Sequence, residues 1–112
     1  MKFKNIVMKW AVILCSLGLA PMTGTAEDLL KGADSAYGEY LSGECVTCHR
    51  ADGGDDGIPS ITGLDAEGFA YIMHAYRAKE LENNVMQLVA GRLDDEQIAS
   101  LAVYFASLKA AD

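Results

Sequence analysis

Basic residues, cysteines and long hydrophobic runs are all scarce in this chain of 112 residues. Nine Lys and Arg against 16 Asp and Glu give a formal net charge of −7, which argues against a nucleic-acid partner because such a partner requires a basic surface. No repeated or low-complexity segment is present, so neither a solenoid nor a disordered chain is indicated. The length allows one small domain and excludes an enzyme with separate cofactor and substrate lobes.

The apolar run at residues 10–20 is well short of the roughly 20 residues that a permanent transmembrane helix needs. Three lysines precede this run, and Gly24-Thr25-Ala26 offers the small residues of a cleavage site. Residues 1–26 are therefore expected to be a cleaved secretory signal peptide, with an uncleaved N-terminal anchor as the alternative. Residues 27–112 would then form an exported, periplasmic domain that does not insert into a membrane.

The expected exported domain keeps all 16 acidic residues but only six basic ones, a formal charge of −10. A domain of 86 residues has a marginal core, and such domains usually carry disulfides, a metal or a cofactor. Its two cysteines, Cys45 and Cys48, would close too short a loop to constrain the unfolded chain. A bound group is therefore expected to complete the core.

Those cysteines belong to the motif Cys45-Val46-Thr47-Cys48-His49. The pattern C-x-x-C-H is the attachment site of c-type haem, in which both thiols form thioethers with the porphyrin vinyl groups and the histidine binds iron. The spacing suits a helical turn, because residues three apart lie on one side of it. A thioredoxin-like dithiol would need a βαβ setting, and a zinc site would need a distant fourth ligand. The motif predicts one covalently attached haem c.

The second axial ligand of the iron has few candidates. Met86 lies 37 residues after His49, just beyond a break at two asparagines, and is the predicted ligand. Met73 has the helical spacing of a core residue and is assigned to the core. His74 is the remaining candidate, and two histidine ligands would lower the reduction potential relative to a His/Met pair.

Apolar spacing predicts an all-α fold of three to four helices. Helices are predicted over residues 28–41, 65–81 and 94–108, with Asp94 and Gln97 forming a capping box at the start of the last. Residues 85–90 are apolar again after a break at Asn83 and Asn84. The buried face of the first includes Tyr40. Residues 50–63 are rich in Gly and Asp and are predicted to be a loop. The candidate walls of the cofactor pocket are Phe69, Ile72, Tyr76, Leu88 and Phe105.

The segment GEYLSGECVTCH at residues 38–49, followed by GIPSITG at residues 57–63, resembles a class I c-type cytochrome. Together with NVMQ at residues 84–87 and LAVYFA at residues 101–106, it is similar to the monohaem subunit of flavocytochrome c sulfide dehydrogenase and to related small soluble periplasmic cytochromes c. The likeness covers nearly all of residues 27–112. It implies the class I cytochrome c fold, with three to four helices wrapped around one haem c.

The resemblance also implies roles for individual residues. Cys45 and Cys48 would be the thioether anchors, and His49 and Met86 the axial ligands of the iron. The backbone carbonyl of Pro59 would accept the proton of the ligating histidine, which orients the ring. A proline that only stiffens the loop is the alternative, and both interpretations can hold. The helix containing Gly38 would pack against the last helix at Tyr104 or Phe105.

Iron with both axial positions filled favours one-electron transfer over chemistry at the metal, so the chain alone is not expected to be an enzyme. The resemblance implies a subunit that accepts electrons from a flavoprotein sulfide dehydrogenase, an assignment that a large apolar patch at the haem edge would favour. A free shuttle to an oxidase or reaction centre is the first alternative. A haem sensor or peroxidase-like protein is the second, and it would need a weak or absent bond to Met86. The acidic charge would favour a basic surface on the partner, and a solvated face that keeps the exported protein soluble is the alternative interpretation.

Overall fold

The structure, a computed structural model, describes residue 18 and residues 26–50, 52, 54, 55 and 57–109. Throughout these residues the chain is all-α without a strand, as predicted. The elements are α1 (Ala26–Leu29), α2 (Ser35–Leu41), a 3-10 turn (Ser42–Glu44), α3 (Ala66–Arg77), α4 (Asn84–Gly91) and α5 (Asp95–Ser107). Of the predicted signal peptide, all but residues 18 and 26 lies outside the described part. No helix in the described part is long and apolar enough to cross a membrane.

The single helix predicted over residues 28–41 is wrong, because the chain turns between α1 and α2. Gly32 adopts a φ of +76°, a left-handed conformation that ends a right-handed helix. Asp34 then starts α2 as its N-cap, and its side chain accepts hydrogen bonds from the N–H groups of Ala36 and Tyr37 at 2.9 and 3.1 Å. The apolar spacing continued through the break, so periodicity alone did not reveal it.

Helices α2 and α5 cross in close contact at Gly38. A Cβ added to this glycine would overlap the carbonyl oxygen of Ser100 and lie 2.8 Å from the Cβ of Tyr104. The predicted crossing is therefore confirmed. A hydrogen bond of 3.0 Å from the backbone N–H of Asp34 to the Ser100 hydroxyl also joins the two helices. Tyr40, predicted on the buried face of α2, is instead 82% exposed.

Helix α3 begins as predicted, after the N-cap Asp65, but it ends four residues before the predicted Leu81. Lys79 has a φ of +61°, and the N–H of Glu80 donates to the carbonyl of Ala75 at 2.9 Å. This is a Schellman ending, in which a left-handed residue closes the helix. Lysine carries no sequence signal for that conformation, so the early end was not predictable from residue type.

Helix α5 supplies the centre of the core. Its N-terminus carries the predicted capping box, since Asp94 and Gln97 each accept a hydrogen bond from the other's backbone N–H. Phe105 is fully buried and stacks on Phe69 of α3, with ring centroids 5.7 Å apart. The remaining members of the core cluster are Ala70, Met73, Ala90, Ile98, Leu101 and Ala102. The core thus holds α3 and α4 against α5.

We expect Gly38→Ala to lower the free energy of unfolding by about 1–3 kcal/mol, because the added methyl group must push α2 away from the backbone of α5. Urea denaturation followed by circular dichroism measures this change. Gly91→Ala is the matched control, since a Cβ there meets no atom within 4 Å. The control should be neutral or stabilising by about 0.5–1 kcal/mol. Equal effects of the two variants would contradict a close crossing at Gly38.

Candidate functional site

A largely apolar cavity of about 720 Å³ opens between the segment that follows α2, the loop before α3, and helices α3 and α4. This volume lies within the range of roughly 300–1,000 Å³ found for cofactor and ligand pockets. The side chains that line it include three from the motif (Cys45, Cys48, His49), loop residues Ile58, Pro59, Ile61 and Leu64, and helical residues Phe69, Ile72, Met73, Tyr76, Val85, Met86 and Val89. All five sequence-predicted site residues therefore line one cavity.

The cysteine and histidine residues of the motif follow directly from the 3-10 turn after α2. The N–H groups of Cys48 and His49 both donate to the carbonyl of Cys45, at 3.2 and 2.8 Å. The motif therefore forms a helical turn, as its spacing predicted. Because α2 is held against α5 at Gly38, the position of this turn depends on that crossing.

The environment of Cys45 disfavours thiolate chemistry. Burial, and secondarily the nearby carboxylate of Glu44, raises the pKa of the Cys45 thiol to about 11. Dithiol oxidoreductases need a lowered thiol pKa, so the thioredoxin-like alternative loses support. The zinc alternative is also weakened, because nowhere among the described residues do three Cys, His, Asp or Glu side chains cluster in a way that could hold a metal.

His49 is oriented by the loop that precedes α3. Its Nδ1 atom lies 2.6 Å from the carbonyl oxygen of Pro59. A carbonyl oxygen can only accept, so Nδ1 carries a proton, and in the neutral imidazole Nε2 then keeps a free lone pair. A histidine that ligates a metal through Nε2 requires this tautomer, and the acceptor also fixes the orientation of the ring. The ring of Pro59 restricts the backbone φ at that position, which stiffens the loop that carries the acceptor.

Met86 enters the cavity from the first turn of α4, where its side chain is half-buried. Met73 also lines the cavity, but it is only 4% exposed and belongs to the core cluster, as predicted. Both thioethers are therefore present in the lining, with Met73 packed within the core and Met86 at its margin.

His74 does not line the cavity. Its Nδ1 atom accepts a hydrogen bond from Nη2 of Arg77 at 2.8 Å. The same guanidinium donates to the carbonyl of Leu93 at 3.1 Å and to the carboxylate of Asp95 at 2.6 Å. The hydrogen bond from Arg77 also lowers the pKa of the Asp95 carboxyl group. His74 thus takes part in a polar cluster between α3 and α5.

Three of the five predicted pocket walls, Phe69, Ile72 and Tyr76, line the cavity. The other two assignments are wrong: Leu88 is 71% exposed, and Phe105 is buried in the core away from the cavity. Helical spacing shows which residues share a face but not which neighbour that face meets. Sequence reasoning also missed the apolar loop residues of the lining. Their signal was the placement of Ile58, Ile61 and Leu64 in an otherwise polar, glycine-rich segment.

No model of a protein family matches the chain. Over 81 residues, the chain is 36% identical to cytochrome c-554(548) of Halomonas halodenitrificans, an alignment covering 66% of this chain and 95% of that protein. It is 29% identical over 100 residues to cytochrome c4 of Pseudomonas aeruginosa, covering 87% of this chain and 46% of that one. It is 30% identical over 105 residues to the thiosulfate dehydrogenase electron acceptor of Stutzerimonas stutzeri, covering 82% and 49% respectively.

The chain spans about half the length of the second and third relatives and nearly all of the first. All three are class I c-type cytochromes, which carry covalently bound haem c and act as electron carriers rather than enzymes. The all-α fold and the cavity that contains the C-x-x-C-H motif agree with this similarity. The chain belongs to the class I c-type cytochromes.

Proposed function

We propose that the protein is a periplasmic one-electron carrier with one haem c, attached through Cys45 and Cys48 and ligated by His49 and Met86. The observation that carries this proposal is a single cavity lined by both thiols, the imidazole and the thioether. The residues fit the group, because the two thiols suit thioether formation and a neutral imidazole and a thioether are established axial ligands of haem iron. The proposed export depends on the signal-peptide pattern of residues 1–26.

Bound haem supplies a reversible one-electron couple between ferric and ferrous iron. The protein's own residues set the conditions for that couple. With haem bound, the apolar side chains of α3 and α4 that line the cavity would limit the access of water, so little solvent would reorganise when the charge changes. The carbonyl of Pro59 holds the ring of His49 in one orientation. Ligation by the Met86 thioether would raise the reduction potential of a bound haem relative to ligation by a second histidine.

The rim of the cavity supports a tightly docked redox partner. Val85 is 61% exposed, and Ile58, Leu64 and Ile72 are 40–44% exposed. Adjacent apolar residues on a surface are typical of protein interfaces, in which an apolar centre is surrounded by a polar margin. The partner that we propose is a flavoprotein dehydrogenase that oxidises sulfide and passes electrons to this chain. The relative that serves as a thiosulfate dehydrogenase electron acceptor supports an inorganic-sulfur dehydrogenase as the class of donor.

We expect the wild-type protein, matured with covalent haem, to show a low-spin spectrum that carbon monoxide does not change, because both axial positions are filled. Met86→Ala should become high-spin and bind carbon monoxide, because it opens the sixth position. Visible spectra of the reduced protein, recorded with and without carbon monoxide, measure both effects.

Two control variants test whether the effect is specific to Met86. Met73→Leu replaces the core methionine with a side chain of similar volume, and His74→Ala removes the other candidate ligand. Both should keep the low-spin spectrum. Carbon monoxide binding by the wild type would instead support a sensor or peroxidase-like protein, and absence of covalent haem would refute the whole proposal.

A charge placed at the apolar rim should weaken docking. Val85→Asp is expected to raise the apparent Kd for the sulfide-oxidising flavoprotein by about tenfold, because the carboxylate must be desolvated in the interface. Reduction of the ferric cytochrome by that flavoprotein and sulfide, measured against cytochrome concentration, gives the value. Tyr71→Asp adds the same charge at a residue that is 66% exposed but does not line the cavity, and it should change the value less than twofold. Equal effects of the two variants would contradict docking at the rim.

A further inference from the structure

The first turn of α4, which carries Met86, is tied to the chain before it by two side chains. The Oδ1 atom of Asn83 accepts hydrogen bonds from the N–H groups of Val85 and Met86, both at 3.0 Å. Gln87 donates from its backbone N–H to the carbonyl of Asn83 and from its side-chain Nε2 to the carbonyl of Leu81, both at 2.9 Å. Met86 therefore lies between two anchored neighbours.

The segment to which this turn is anchored is itself fixed. Glu80 closes the Schellman ending of α3 through its bond to Ala75, so the chain leaves α3 in a defined direction. At the other end of α4, the guanidinium of Arg77 holds the carbonyl of Leu93. The N-terminal end of α4 is held instead by the Asn83 cap and by the side-chain hydrogen bond of Gln87. Any loosening at that end moves the turn that carries Met86.

The geometry of this turn matters because the flexible side chain of methionine does not fix the position of its own sulfur atom. The side chain has three rotatable bonds, so a fixed backbone is needed to limit the positions that the thioether can reach. Met86 is the third residue of α4, and the N–H at that position is one that an N-cap side chain satisfies. Asn83, Val85 and Met86 all line the same cavity, so the cap lies beside the site where the thioether is needed.

We propose that Asn83 is a positioning residue that keeps the thioether of Met86 directed into the cavity and so holds the sixth coordination position closed. The inference rests on the proposed ligation by Met86. It differs from a general contribution to stability, because it assigns the cap a local effect on one ligand. Removing the side-chain oxygen of Asn83 leaves two N–H groups of the turn without their acceptor, and the released turn lets a competing ligand reach the iron more often.

Imidazole, a neutral ligand when the pH is above its pKa, measures this release because it competes with the thioether at ferric iron. We expect Asn83→Ala to raise the apparent affinity for imidazole by about five- to tenfold, the change in a helix equilibrium that loss of an N-cap produces. Asn83→Ser keeps an acceptor oxygen at the cap and should remain within about twofold of the wild type. Amide hydrogen exchange at Val85 and Met86 should accelerate in the alanine variant alone.

Asp94→Ala is the matched control, because it removes the N-cap of α5, a helix that contributes no side chain to the cavity lining. It should lower the free energy of unfolding as Asn83→Ala does while leaving imidazole affinity unchanged. Equal rises in imidazole affinity for the two variants would overturn the inference, since Asn83 would then act only through overall stability. No rise for Asn83→Ala would overturn it as well.

Failure of the proposed ligation is distinguishable from failure of the inference. If the wild type binds imidazole as tightly as Met86→Ala, then Met86 is not the ligand and both proposals fail. If Met86→Ala binds imidazole much more tightly than the wild type but Asn83→Ala does not, only the role of Asn83 fails. Should Asn83→Ala not fold, Gln87→Ala removes the other anchor and should give a smaller rise in the same direction.

Discussion

The close contact between α2 and α5 determines where the cofactor site forms. Gly38 allows the two backbones to approach, because any larger side chain would overlap the Ser100 carbonyl. The motif begins at Cys45, four residues after the end of α2, so the position of α2 determines where its cysteine and histidine residues lie. The same α5 carries Phe105, which holds α3 through its contact with Phe69. Helix α5 therefore positions, through two separate contacts, both the turn that carries the C-x-x-C-H motif and the wall of the cavity that α3 forms.

The cavity and the hydrophobic core are adjacent and share residues, including Phe69 and Met73. Few large side chains of the described chain are fully buried, chiefly Phe105, Ile98 and Leu101, and a domain of this size has little apolar surface to spare. The cavity meanwhile has a largely apolar lining, which comes from the motif turn, the loop before α3, and helices α3 and α4. A flat apolar cofactor held there would bury that lining and complete the core, while the exposed residues at the rim would remain available to a partner. The same bound cofactor would therefore both complete the hydrophobic core and serve in electron transfer.

Local signals predicted more of this structure than long-range patterns did. The caps at Asp65 and Asp94 were predictable because an N-cap depends only on residues within three positions of it. The break at Gly32 was missed because helical spacing of apolar residues continued through it, and the break at Lys79 was missed because lysine carries no signal for a left-handed conformation. Leu88 and Phe105 were misassigned as pocket walls because an apolar residue at helical spacing can face the core, the cofactor or a partner equally well.

The covalent attachment proposed for the site rests on five consecutive residues, because two thioether bonds and an adjacent imidazole need only one helical turn. Membership of the cytochrome family followed from the same local pattern. Which histidine tautomer is present, and which side chains turn toward the cavity, depended on contacts between distant segments. The carbonyl of Pro59 accepts the hydrogen bond from Nδ1 of His49, and His74 accepts a hydrogen bond from Arg77 and does not line the cavity. The tautomer and the side chains that face the cavity depend on how loops and helices distant in sequence pack together. The spacing of residues along a single helix does not predict such contacts.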